Sequence, residues 1–259
     1  MTMGLPVLPD LLHSAVQRAR WPLLAWGLAL FFWTGHLLTS FHLSDGPLAQ
    51  GMGQVVAFLG AVPTPPAALE GWLWAGGFAL PYPLLTSSFA VWLAGGLLAG
   101  EERRRTLTLL LAAPMPRSRL LLAQYAALWL AMAVLGAWLA GVLLLANLSL
   151  ALGLAPGFLL RAVGLNTLLA LVWGSAAFLT GALTGRPNLS RWVGAGAFVL
   201  FYILHRLSPA EGALSFFSWL SPFHYTQTSL PGAGWVLAGL SGLCLAAAWV
   251  GFNRRDLEL

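Results

Sequence analysis

Lysine is absent from this chain: all 13 basic residues are arginine. That excludes a Walker A loop, whose lysine reaches the β- and γ-phosphates, and a Schiff-base lysine. If ATP drives the chain, another chain must bind it. Charge of either sign is scarce. Only 8% of the 259 residues are charged and 59% are hydrophobic, with a mean hydropathy of +0.80, against about 25% charged residues in soluble domains. The chain therefore reads as a polytopic membrane protein. The single cysteine, Cys244, lies in an apolar run; it has no partner for an internal disulfide and reads as a packing residue. The five histidines show no metal-binding spacing, so no metal site is expected. The apolar runs hold no Asp, Glu or Lys, and so no proton relay or ion-ligand pair.

What is present is a series of apolar runs long enough to cross a bilayer. They cover 21–41, 74–99, 120–146, 159–184, 192–207 and 232–252. The expectation is an all-α polytopic membrane protein, one transmembrane domain over 1–259 with six spans. The first run lacks a small-residue cleavage pattern and reads as an uncleaved span. Before it, 9–20 has helical apolar spacing at Leu11, Leu12, Ala15, Val16 and Ala19, which predicts an interfacial helix. The stretch 42–72 reads as a loop, with Met52 to Val62 lying on the membrane surface. Pro81 and Pro83 predict a kink in the second span, or a helix start near Leu84. Ala133, Ala137 and Gly141 form a ridge of small residues that permits close helix approach. The stretch 186–191 reads as a turn, with Arg191 and Arg206 snorkelling at the two ends of a short fifth span. The aromatic-rich segment 208–231 is expected to dip into the interface as a re-entrant or interfacial piece.

Arginine sorts by side. With the N-terminus inside, Arg18, Arg20, Arg103, Arg104, Arg105, Arg117, Arg119, Arg186, Arg191, Arg254 and Arg255 are internal, and Arg161 and Arg206 are external, eleven against two. The positive-inside rule then puts both termini in the cytoplasm. The basic balance is an orientation signal, and no nucleic acid partner is expected.

The hairpin 100–119 concentrates seven of the 21 charged residues. Glu101 and Arg105 are spaced i,i+4, and both acids are expected at a helix N-terminus. Leu107, Leu110 and Leu111 make an apolar face, and Pro114 and Pro116 end the helix near Ala113. Two readings fit: an orientation signal, or a surface helix that offers its polar side to a soluble partner. The acidic pair adds nothing to the first.

The run Gly100-Glu101-Glu102-Arg103-Arg104-Arg105-Thr106-Leu107-Thr108-Leu109-Leu110-Leu111-Ala112-Ala113-Pro114-Met115-Pro116-Arg117 resembles the signature of the type-2 ABC exporter permeases, roughly G-E-E-x-x-G-T-L-E-L-L-L-A-x-P-V-x-R. Ser221-Pro222-Phe223-His224-Tyr225 and Phe252-Asn253-Arg254-Arg255-Asp256-Leu257 are similar to segments at equivalent places in that family. Arg105 stands where the family has Gly, Thr108 where it often has Glu, and Gln124 where Lys is common.

The resemblance implies a membrane subunit of an ATP-driven exporter in the bacterial inner membrane. It would not itself be an enzyme. A cytoplasmic ABC ATPase, which would carry ATP and Mg, and a second permease copy or homologue would be its partners. The hairpin would be the coupling helix. Glu101, Glu102, Arg103, Arg104, Arg105 and Thr106 would dock the ATPase, while Leu107, Leu110, Leu111, Pro114 and Arg117 would seat the hairpin. Spans two and five would line the dimer axis, which makes Phe89, Trp92, Phe198 and Tyr202 candidate pathway residues. The lack of intramembrane acids suggests an apolar or amphipathic substrate. The alternatives are a polytopic membrane enzyme, or an ATPase-linked membrane protein that does not transport.

Overall fold

Apolar residues run all round Pro156–Thr184 rather than in one stripe, and such a helix belongs at the centre of a bundle. The computed structural model, which describes residues 7–42, 69–103, 117–207, 219–226 and 230–254, puts it there. All regular elements among these residues are helical: α1 (Val7–His42), α2 (Leu69–Leu73), α3 (Pro81–Arg103), α4 (Arg117–Ser149), α5 (Pro156–Thr184), α6 (Pro187–Leu207) and α7 (Ala233–Arg254). A π turn, Trp74–Phe78, joins α2 to α3, and a 3-10 turn, Pro222–Thr226, precedes α7. The central α5 packs against α3, α4, α6 and α7, and α1 lies on α3 and α4. Among the described residues, five helical stretches are long and apolar enough to cross a membrane: Ala19–Ser40, Leu69–Gly100, Ser118–Ser149, Pro156–Thr184 and Ala233–Arg254. The helix α6 is 21 residues long, but Asn188, Arg191, His205 and Arg206 lower its apolar content, and it is not one of the five.

Several local expectations change. The interfacial helix 9–20 and the first span form one helix, which runs through Pro22. No glycine or cap stands between them to end it, and a proline removes only one backbone bond. Glu101, Glu102 and Arg103 lie in the last turn of α3, not at the start of a new helix. Gly100 alone does not break the helix, since an interior glycine costs only about 1 kcal/mol. Residues 104–116, with Arg104, Arg105, Thr106, Leu107, Leu110, Leu111 and Pro114, lie outside the described residues, as does the stretch Met52 to Val62.

The entry to α3 shows how prolines are accommodated. Pro81 is its first residue and Pro83 its third, so the helix starts ahead of Leu84. First-turn amides have no helical partner, and proline there loses nothing. Upstream, the π turn carries a bond from Ala79 N to Trp74 O (2.8 Å). The π-type partner of Gly76, five residues on, is Pro81, which has no N–H. Trp33 of α1 donates to that carbonyl instead, at 3.1 Å. Trp72 donates to Leu37 O at 3.1 Å, so α1 is tied to the segment both just before the turn and within it.

The stretch read as a turn at 186–191 is shorter than expected. Gly185 caps α5 with φ 63°, the left-handed geometry a helix stop favours. Pro187 begins α6 two residues later. Arg191 therefore stands within a helix, one turn in. The small-residue ridge of α4 also lies elsewhere. Leu128, Met132, Leu135 and Leu139 fill the core, while Ala133 and Ala137 are exposed. Ala137 and Gly141 line an apolar groove of about 580 Å³ against α1.

Buried polar groups bond across helices. The Thr34 and Tyr82 hydroxyls are 2.9 Å apart, and Asn166 Nδ2 donates to Thr86 Oγ1 at 3.2 Å. The Tyr125 hydroxyl lies 2.8 Å from Ser175 Oγ and donates to Ser241 O at 3.0 Å, which joins α4, α5 and α7. Tyr125→Phe removes both bonds and should lower stability by about 1–2 kcal/mol. Thermal unfolding in detergent measures this; an unchanged midpoint would dismiss the three-helix tie.

Candidate functional site

Every fourth residue of α6, namely Ser190, Gly194 and Phe198, is buried, and this stripe lays α6 along α3 and α5. Gly194 is the closest approach. A Cβ built there would lie 2.9 Å from both Ala177 Cβ and Val91 Cγ2. One turn away, Ser190 Oγ donates to Ala177 O at 2.5 Å. Beside this contact α3 and α6 part into a groove of about 410 Å³, whose lining includes Ser87, Ser88, Trp92, Asn188, Arg191 and Phe198. Its polar end, at Asn188 and Arg191, is the end nearest the hairpin; the remainder is largely apolar.

Arg191 crosses from α6 onto α3. Its Nε donates to Trp92 O over a long 3.4 Å, and its guanidinium carbon lies 5.8 Å from the centroid of the Trp92 ring, within cation–π range. The aliphatic stem rests where α3 has no side chain, 2.7 Å from the Cβ position of Gly95. Trp26 of α1 also stacks on Trp92, at 6.1 Å, and donates to Ser88 Oγ at 2.9 Å. Ser87 Oγ, buried beside the groove, has no hydrogen-bond partner among the described residues.

Two of the four residues expected to line a pathway share this groove. Phe198 lines it from the buried stripe, and Trp92, on the other wall, is 36% exposed. Tyr202 is half-buried and stacks on Phe198, with ring centroids 6.4 Å apart. Phe89 is fully buried, with its ring 5.8 Å from Trp26, and does not line the groove. Phe223 of the 3-10 turn packs against Phe198 (5.2 Å), Tyr202 (5.4 Å) and Trp173 (5.7 Å). Sequence reading missed Ser87, Ser88 and Asn188, and assigned Arg191 only to snorkelling. The signal that finds Arg191 is helical spacing: Pro187 starts the helix, and Arg191, Ala195 and Phe198 follow one side of it.

The hairpin connects two of these helices. Glu101, Glu102 and Arg103 end α3, and Arg117 begins α4. The Gly185–Pro187 connection and the polar end of the groove lie at this same end of the bundle.

Long apolar helices packed around a buried helix, with polar groups bonded between them, define a multi-pass all-α membrane protein. A family model for ABC-2 family transporter proteins matches residues 22–257, and the chain belongs to that family. It is a membrane permease of an ABC transporter, a class that works with an ABC ATPase subunit. No curated protein matches the chain.

Proposed function

We propose that this permease is the membrane subunit of an exporter of apolar or amphipathic compounds in the bacterial cytoplasmic membrane, with both termini inside. A separate ATPase docks on the hairpin 100–119, and two permease subunits pack with the pathway between them. The observation that carries the reading is the continuity of α3. One helix of 23 residues, about 34 Å at 1.5 Å per residue, ends in the charged hairpin and supplies Ser87, Ser88 and Trp92 to the groove. A push at the hairpin reaches the groove wall without crossing a loop. The side on which α6 faces α3 is then the pathway side, and Phe89 contributes packing.

The groove suits an amphipathic ligand: an apolar body against Phe198 and Trp92, and a polar end at Asn188 and Arg191. Ligand-stimulated ATP hydrolysis by the reconstituted complex tests it. Trp92→Ala should raise the half-stimulating ligand concentration by about tenfold, the equivalent of 1.4 kcal/mol. Trp249→Ala, on the exposed side of α7, should leave it unchanged. Equal shifts in both variants would sink the groove assignment. ATP-dependent uptake into inside-out vesicles separates an exporter from an ATPase-linked protein that moves nothing.

A further inference from the structure

At the end of the bundle opposite the hairpin, the second turn of α5 presents an exposed arginine, Arg161. Its Nη2 donates to Leu230 O at 2.8 Å, which fixes the guanidinium against the connection entering α7. That bond uses one of five N–H donors. Among the described residues no carboxylate pairs with Arg161. The side chain heads a groove of about 360 Å³ whose walls are Leu165 and Leu168 of α5 and Trp235 and Ala238 of α7. Arg161, Leu165 and Leu168 follow i, i+4, i+7, so the groove runs along the helix from its charge into apolar wall for about 10 Å. Trp235 is 85% exposed and stands near the same end, where tryptophan marks the headgroup level.

We propose that this groove is a binding site for an anionic phospholipid. The free guanidinium donors take the headgroup phosphate, for which a planar fork is well matched. The start of an acyl chain lies along Leu165, Leu168 and Ala238, with Trp235 flanking it. An arginine that merely snorkelled would keep its head in water; here a backbone carbonyl holds the head over an apolar channel, and a charge with no carboxylate beside it among the described residues selects an anion. The layout of the groove, cation then hydrocarbon wall, is that of the lipid itself. Basic pockets between membrane helices recognise headgroups on this principle.

Native mass spectrometry of the full chain, extracted from membranes holding equal phosphatidylglycerol and phosphatidylcholine, tests the site. The unsubstituted chain should retain one more phosphatidylglycerol than Arg161→Gln, whose occupancy should fall by about tenfold, as the loss of a charge-assisted hydrogen bond gives. Arg161→Lys should retain an intermediate amount, and phosphatidylcholine should be unaffected in all three. Size-exclusion profiles identify any variant that fails to fold, and the lysine variant then carries the test alone. Equal phosphatidylglycerol retention by the glutamine variant would overturn the proposal. So would parallel loss of both lipids, or displacement of the lipid by excess inorganic phosphate, which would make the site one for free phosphate.

Discussion

Exchanging Glu101 and Glu102 for arginine should abolish co-purification of the ATPase while the permease still inserts. The two readings of the hairpin diverge most sharply on this variant. Five arginines and two glutamates lie in 100–119, a formal +3, and the double reversal raises it to +7. If the hairpin served only as a cytoplasmic anchor, added arginine would strengthen it, since acids contribute little to the positive-inside bias. If the acids meet a basic partner surface, the change replaces two attractions by two repulsions. Losing one partner of an interfacial charge pair costs about 2–5 kcal/mol, and reversal exceeds removal. Recovery of the ATPase should then drop by at least about 100-fold. Glu101→Gln with Glu102→Gln should lie between. Undiminished recovery and intact coupled hydrolysis would leave the hairpin an anchor.

The second large effect belongs to Gly194. Alanine at this position puts a methyl group 2.9 Å from Ala177 Cβ and Val91 Cγ2, and neither neighbour is the far end of a flexible chain. The helix α6 must move away from α3 and α5, and such overpacking costs about 1–3 kcal/mol. Leucine should prevent stable packing altogether. Gly196, two residues on, has no atom within 4 Å of its Cβ position among the described residues. Gly196→Ala should gain about 1 kcal/mol from helix propensity alone. The informative result is opposite signs for one substitution type in one helix, read from thermal unfolding in detergent. A loss at both positions, or at neither, would mean that the α6 contact is wrongly drawn. The groove should follow stability here, because Gly194 lies between Arg191 and Phe198 on α6.

The long helices were legible because their apolar runs are long and charge-poor. The stops were legible where geometry forces a residue type, although Gly185 and Pro187 define a shorter connection than the string 186–191 suggested. Orientation about the helix axis was not legible for α3. Its apolar residues surround it, so no stripe distinguishes the buried Phe89 from Trp92, one turn along and at the groove edge. Both rings are placed by packing against Trp26 of α1, and a contact 60 or more residues away leaves no local trace. The same limit applies to α4, where small residues suggested close approach and the large ones took the core. Amphipathic α6 is the opposite case: Ser190, Gly194 and Phe198 repeat at helical spacing, so its buried side can be read directly. In the hairpin, Glu101 to Arg103 were readable as charge but not as the end of α3, because a lone glycine does not stop a helix.

The π turn at Trp74–Phe78 sets an angular phase. Each residue of an α-helix advances the chain by about 100° around the axis, and a π turn accommodates one residue more than an α turn would. Were the turn to wind as α-helix with all five of its residues kept, everything before it would swing through about a quarter of a circle. Trp72 would leave Leu37 O, Gly76 would no longer offer its carbonyl to Trp33, and α1 would lose both tethers to the entrance of α3 in one step. A change from π to α winding here would thus act as a twist at the entrance of the helix that links the groove to the hairpin, although the turn touches neither.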